Sequence, residues 1–136
     1  MTDQANANVL ARWFPNLAIA VGVCVVLQAI LAGRGWFIDY DLIKVHGYVG
    51  EITFVLALLL LISAWLGRQA GLIGIVELGL TALLMVLLVA QLALGYSGRD
   101  SGTAASLHIP NAILITGITA ALITLGQRRS VRTGAV

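Results

Sequence analysis

The sequence contains the run LIKVHGYVGEITFVLALLLLISAWL at positions 42–66, in which Lys44, His46 and Glu51 are the only strongly polar residues. A helix needs about 20 mostly apolar residues to cross the hydrocarbon core of a bilayer. Backbone groups in lipid must be hydrogen-bonded within the segment, which favours a helix. The run therefore predicts a transmembrane helix.

One further apolar run precedes this one and two follow it, and short polar stretches separate the four runs. The hydropathy pattern predicts helices over about residues 15–32, 42–66, 72–96 and 106–125. Of the 136 residues, 60% are apolar and 10% are charged, whereas soluble domains carry roughly 25% charged residues. The sequence predicts an all-α fold, a single transmembrane domain that forms an integral membrane four-helix bundle in the lipid bilayer.

Local signals predict where the helices end. Gly33-Arg34-Gly35 is expected to end the first helix, and Asp39 or Asp41 to cap the second. Ser106 is expected to cap the fourth helix, with Pro110 in its first turn, where a missing amide is tolerated. The first eleven residues carry no basic residue, so a cleaved signal peptide is not expected.

The eight basic residues predict the orientation. Arg34, Lys44 and Arg99 fall on one side of the membrane. The other five fall on the side that holds both chain ends; they are Arg12, Arg68, Arg128, Arg129 and Arg132. The positive-inside rule therefore predicts cytoplasmic N- and C-termini, and we expect a multi-pass protein of a bacterial inner membrane. The pI of about 9.1 reflects these basic residues at the ends of the helices, and no nucleic-acid partner is expected.

A weak internal repeat relates the two halves of the chain. Gln28 precedes His46 by 18 residues, and Gln91 precedes His108 by 17 residues. In each case the glutamine lies near the end of one helix and the histidine near the start of the next. The pattern predicts two copies of one helical hairpin, related by an axis along the membrane normal.

The two histidines are the strongest candidates for chemistry. His46 and His108 begin helices 2 and 4 on the same side of the membrane, and these helices lie diagonally across a four-helix bundle. Two imidazoles that face each other across the core can ligate a haem iron. We expect a haem b at this position. The pair could instead bind a copper or zinc ion, but the sequence offers no third ligand of cysteine or clustered carboxylate type, so a closed metal site is less favoured.

Other polar residues near the same surface are candidates to bind the cofactor. Gln28 and Gln91 are expected to face the pocket, and Arg34, Lys44 and Arg99 to pair with the haem propionates. The alternative interpretation of a histidine near the end of a transmembrane helix is a polar residue at the membrane interface that binds no ligand. Intramembrane polar residues are costly, which favours a functional interpretation.

Two carboxylates fall within the predicted helices. Glu51 is interpreted either as a proton relay or quinone-site acid, or as a carboxyl group that bonds a neighbouring helix. For Glu77 the second interpretation is favoured, with the side chain reaching the nearby interface. The sequence leaves open whether the protein is an enzyme.

The pattern resembles one four-helix half of heme A synthase, which carries a histidine on its second and fourth helices. The matching stretches are Lys44–Tyr48 and Ser106–Pro110. The chain is also similar to a family of small uncharacterised bacterial four-helix membrane proteins. The resemblance implies that His46 and His108 ligate haem. A second half and the extracellular cysteine pair are lacking in this sequence, so oxidation of a haem methyl group is not implied.

These observations predict a membrane-bound b-type haem protein with bis-histidine ligation near the periplasmic face. It would transfer electrons with a quinone or a larger respiratory or photosynthetic complex as partner, and a homo-oligomer is compatible with the sequence. The alternatives are a cofactor-free accessory subunit of a larger membrane complex, and a haem- or quinone-linked oxidoreductase. A small multidrug transporter ranks last, because such proteins carry an essential glutamate in helix 1 and this chain has none there.

Overall fold

The fold is known from a computed structural model that describes residues 2–133, and among these the side chains of Val9 and of residues 12–129. It contains four helices joined by short connections. They are α1 (Thr2–Phe37), α2 (Leu42–Gln69), α3 (Ile75–Ser97) and α4 (Gly102–Thr133). Each contains a segment long and apolar enough to cross a membrane. The predicted all-α membrane bundle is therefore confirmed.

The helices form a ring in which each one packs against its two neighbours. Helix α1 packs against α2 and α4, and α3 packs against the same two helices. Among the described residues, the diagonal pairs α1/α3 and α2/α4 have no Cα atoms within 8 Å of each other. Helices α2 and α4 thus face each other across the bundle. Their first turns lie at the end where α1 and α3 finish, which we call the histidine end.

The apolar core fills the half of the bundle away from the histidine end. Its fully buried members come from all four helices; they include Phe14, Ala18, Val21, Leu60, Ala64, Leu84, Ile115 and Leu122. By contrast, the imidazoles of His46 and His108 are only partly buried. The fully buried side chains therefore lie in the half of the bundle away from the histidine end, and the side chains at the histidine end are less buried.

The outer surface of the bundle is apolar, as a bilayer requires. Large hydrophobic side chains are exposed along every helix, and Trp36 and Phe37 at the histidine end are 74% and 84% exposed. Two of the buried hydroxyls bond their own helices. Thr53 Oγ1 donates to the carbonyl of Val49, and Thr81 Oγ1 donates to that of Glu77. Such bonds satisfy polar groups without water.

The first helix is longer than its sequence predicts. It runs through Gly33 and Gly35 without interruption and ends at Phe37. The expected glycine stop was wrong, because Gly35 serves packing instead: a Cβ atom there would lie 2.7 Å from Ile43 Cδ1 of α2. At the other end, α1 begins at Thr2, so Pro15 lies inside the helix rather than at its start.

The expected cap of α4 was wrong, and the two candidates for α2 differ. Asp39 Oδ1 accepts a bond of 3.0 Å from the backbone amide of Asp41, just before the helix begins. Asp41 itself has helical dihedrals and makes no capping bond; its carboxylate accepts a bond from Lys44. Helix α4 begins four residues before Ser106, which places Pro110 in its interior. The hydroxyl of Ser101 accepts a bond of 3.3 Å from the amide of Ala104, so Ser101 caps the helix.

The end opposite the histidines is closed by a turn and an ion pair. Gly71 has a φ of 72°, which glycine adopts at little cost, and it reverses the chain between α2 and α3. Glu77 Oε1 accepts a bond of 2.8 Å from Arg129 Nη2, which joins α3 to α4. Glu77 therefore bonds a neighbouring helix. The side chain of Arg132, an expected cytoplasmic anchor, lies outside the described residues.

Candidate functional site

His46 and Gln28 hold α1 and α2 together through two hydrogen bonds. The side-chain nitrogen Nε2 of Gln28 donates to the backbone carbonyl of His46 over 2.9 Å. In return, His46 Nδ1 lies 3.1 Å from the backbone oxygen of Gln28. Because a carbonyl only accepts, Nδ1 must carry the hydrogen, and the lone pair of the neutral ring is on Nε2.

His108 is held by side chains rather than by the backbone. Nε2 of Gln91 lies 3.1 Å from His108 Nε2, and Oε1 of Gln91 accepts a bond of 2.6 Å from Asn111 Nδ2. The same Asn111 nitrogen donates to the backbone carbonyl of Leu87 over 2.9 Å. Since an amide nitrogen only donates, His108 Nε2 accepts the bond from Gln91. We call these four residues the amide chain.

The two imidazoles meet across the bundle. Their ring centroids are 6.2 Å apart and the ring planes are inclined by 63°. A metal ion bound at about 2 Å by one nitrogen of each ring would hold the centroids roughly 6 Å apart. The centroid separation of His46 and His108 is close to this value.

Two glycines leave space beside these side chains. A Cβ atom at Gly50 would lie 3.1 Å from Gln28 Nε2, and one at Gly95 would lie 3.1 Å from His108 Cε1. At Gly47, the residue after His46, a Cβ atom would meet nothing within 4 Å. Gly50 and Gly95 therefore line the site, and Gly47 does not.

Two buried polar atoms at the site lack a hydrogen-bond partner among the described residues. They are Oε1 of Gln28 and Nδ1 of His108. A buried polar atom without a partner is costly, and in a native protein such an atom commonly meets a water, ion or ligand. Both atoms belong to residues that the sequence predicts as cofactor-binding.

The three basic residues expected near haem propionates lie at the histidine end but make contacts of their own. Arg34 is exposed in the last turn of α1. Lys44 pairs with Asp41 over 2.9 Å, and both side chains are exposed. The guanidinium of Arg99 lies 5.2 Å from the centroid of the Tyr96 ring. Their position at this end suits a propionate, but no contact joins them to the histidine rings in the described structure.

Glu51 has a partner that the sequence did not indicate. The hydroxyl of Tyr96 donates a bond of 2.8 Å to Glu51 Oε1, and both residues are exposed at the outer face of α2 and α3. Each follows one of the glycines that line the site, Gly50 and Gly95. Glu51 therefore lies on the outside of the helix that carries His46.

Asn111 is the site residue that sequence reasoning missed. It lies three residues after His108 on α4, so both side chains project from the same face of the helix. A polar amide at this spacing in an apolar helix was the available signal. Tyr96 carried no comparable signal, because tyrosine is common at membrane interfaces.

The hydrogen bonds of His46 match those of a metal-ligating histidine, and those of His108 do not. A ring N–H bonded to a carbonyl, as in His46, is the usual support of a metal-ligating histidine. In His108 the amide of Gln91 occupies Nε2, so iron binding through that atom would displace the amide. The described residues contain no group of three or more histidine, cysteine or acidic side chains that could hold a bare metal ion.

Comparisons of this chain with protein-family models, curated proteins and solved structures found no match.

Proposed function

We propose that the protein is a membrane-bound b-type haem protein in which His46 and His108 are the axial ligands. One observation carries the proposal: the two imidazoles come from diagonal helices and their centroids are 6.2 Å apart. The unpartnered Nδ1 of His108 and Oε1 of Gln28 support a bound group at this site, because buried polar atoms without a partner commonly meet a water, ion or ligand. The resemblance to one half of heme A synthase agrees with the same assignment.

Haem b would supply one-electron redox chemistry when bound. The protein would contribute the two ligands, the carbonyl of Gln28 that orients His46, and the glycines Gly50 and Gly95, which let Gln28 and His108 lie close to the neighbouring helix. The surrounding bilayer and the apolar core would exclude water from one side of the site. Arg34 and Arg99 are the basic groups available to propionates at this end, and Lys44 would first have to leave Asp41.

The proposed setting is a bacterial inner membrane with both chain ends in the cytoplasm and the haem near the periplasmic face. The distribution of basic residues supports this orientation. Electron transfer would then take place near the outer surface of the bilayer. A quinone or a larger respiratory or photosynthetic complex is the proposed redox partner.

The test is an absorption spectrum of the purified protein, expressed with haem supply or reconstituted with haem in detergent. A Soret band and sharp α and β bands on reduction are expected for two axial nitrogen ligands. His46→Ala and His108→Ala should each lose this low-spin spectrum. Tyr48→Phe and Leu107→Ala change exposed neighbours of the two histidines and should retain it. A colourless protein after reconstitution, or an unchanged spectrum in the double histidine variant, would refute the proposal.

A second candidate function is a cofactor-free accessory subunit. The hydrogen bonds that two glutamines already make to the histidines favour it. Gln91 already bonds His108, and Gln28 already bonds the backbone of His46. Under this alternative the histidines only join helices. It predicts that His46→Ala and His108→Ala lower stability while the protein binds no haem, so the same spectra separate the two functions.

A further inference from the structure

We infer that Asn111 is a positioning residue that fixes which edge of the Gln91 amide faces His108. The inference deepens the proposed function, since it concerns one of the proposed axial ligands. Its basis is the direction of three consecutive hydrogen bonds at the histidine end, and it requires no ligand.

The direction of the chain is set at its first bond. The backbone oxygen of Leu87 can only accept, so Asn111 must present its nitrogen there. The second hydrogen of the same nitrogen is directed at Gln91, 2.6 Å away, which therefore presents its oxygen. The amide of Gln91 cannot turn over without bringing two donors face to face.

The orientation of Gln91 then decides the state of His108. With its oxygen held by Asn111, Gln91 presents its nitrogen to His108 Nε2 over 3.1 Å. Nε2 must accept, so the hydrogen of the neutral ring is on Nδ1, the atom that is buried without a partner. His46 has the hydrogen on the same ring nitrogen for a different reason, because its Nδ1 bonds the carbonyl of Gln28.

This arrangement gives the two histidines unequal readiness to bind a metal. Nε2 of His46 carries a lone pair, and no described residue donates a hydrogen bond to it. Nε2 of His108 instead accepts a bond from Gln91, whose amide is held in this orientation by Asn111. Asn111 thereby sets how readily His108 releases Nε2, although it does not touch the ring in the described structure.

The experiment uses ligand-free full-length protein labelled with ¹⁵N-histidine in detergent micelles. Long-range ¹H–¹⁵N correlation spectra report which ring nitrogen carries the hydrogen, and the signals are assigned by their loss in His46→Gln and His108→Gln. The parent protein should have His108 with its hydrogen on Nδ1. In Asn111→Leu the ratio of the Nδ1–H to the Nε2–H form of His108 should fall by about fivefold or more.

Two further variants distinguish positioning from general packing. Gln91→Leu removes the donor itself, and the double variant with Asn111→Leu should shift His108 no further than Gln91→Leu alone, because Asn111 acts through Gln91. Thr116→Val removes a hydroxyl from α4 that bonds only its own helix, and it should leave His108 unchanged.

Either of two results would overturn the inference: a parent protein with the hydrogen on Nε2 of His108, or an Asn111→Leu spectrum identical to that of the parent. If Asn111→Leu does not fold, Asn111→Ala removes the same amide and carries the same test, with the same expected fall in the ratio. None of these readouts needs haem, so this inference and the haem proposal can fail separately.

Discussion

The hydroxyl of Tyr96 donates a hydrogen bond of 2.8 Å to Oε1 of Glu51, which joins α3 to α2 at the outer face of the histidine end. Arg99 lies 5.2 Å from the centroid of the same tyrosine ring. The bond gives the Glu51 carboxylate a partner at the membrane surface and accounts for its position without a catalytic role. Whether Glu51 also moves protons can be tested directly.

Glu51→Gln and Tyr96→Phe should each leave haem binding nearly unchanged. Both side chains are exposed, and exposed polar pairs contribute little, so we expect haem content within about twofold of the parent protein. The measurement is Soret absorbance per protein. If Glu51→Gln retained haem but lost quinol-linked electron transfer, Glu51 would be a working acid or base and the oxidoreductase alternative would gain support.

The fold could be predicted from the sequence because the bilayer imposes a simple rule. A run such as residues 42–66 has no stable alternative to a helix in lipid, and four runs joined by short connections leave only a bundle. The start of α2 and the end of α3 were predicted to within one residue, whereas the ends of α1 and α4 were predicted poorly. Outside the hydrocarbon a helix continues until something stops it, and Gly35, which packs on Ile43, does not stop α1.

The repeated spacing predicts that each glutamine lies near the histidine of the next helix. It does not predict which atoms of the two residues form the hydrogen bonds. Gln28 bonds the backbone of His46, whereas Gln91 bonds the ring of His108. The difference depends on the rotation of each helix and on Asn111, which occurs only in the second hairpin at this position. Helix rotation is set by packing, which a single hydropathy pattern does not specify.

Gln91→Leu should bind haem more tightly than the parent protein. If His108 ligates a haem iron as proposed, the variant removes the amide that would compete for Nε2, and loss of one such bond corresponds to about a fivefold change. The measurement is a haem titration of ligand-free protein in detergent, followed in the Soret region.

The matched control for this titration is Gln28→Leu. It removes a bond to the backbone of His46 but keeps the carbonyl that orients the ring, so haem affinity should stay within about twofold. Weaker binding by Gln91→Leu than by Gln28→Leu would mean that Gln91 supports the bound state rather than competing with it.

The ion pair at the opposite end should matter for stability and not for the site. The side chain of Glu77 is 13% exposed and that of its partner Arg129 is 31% exposed, and hydrogen bonds to charged groups contribute about 1.5–3 kcal/mol. Glu77→Gln should lower the free energy of unfolding by roughly 1–3 kcal/mol, measured by denaturant titration in mixed micelles. Arg128→Gln, at an exposed neighbouring position, should have little effect. A change in haem affinity on Glu77→Gln would contradict the separation of the two ends.

Gly95→Ala and Gly47→Ala both replace a helical glycine near a histidine, but their effects should differ. Gly95→Ala should weaken haem binding, whereas Gly47→Ala should stabilise α2. A Cβ atom at Gly95 would lie 3.1 Å from His108 Cε1, so the ring must shift, and haem affinity should fall by about tenfold, within the range found when the support of a metal ligand is disturbed. At Gly47 a Cβ atom meets nothing within 4 Å, and alanine should stabilise α2 by up to about 1 kcal/mol through helix propensity alone. Haem titration and thermal unfolding of both variants provide the measurement. Equal haem affinity in the two would place the haem away from the α3 side of His108, and the site as described would then have to be abandoned.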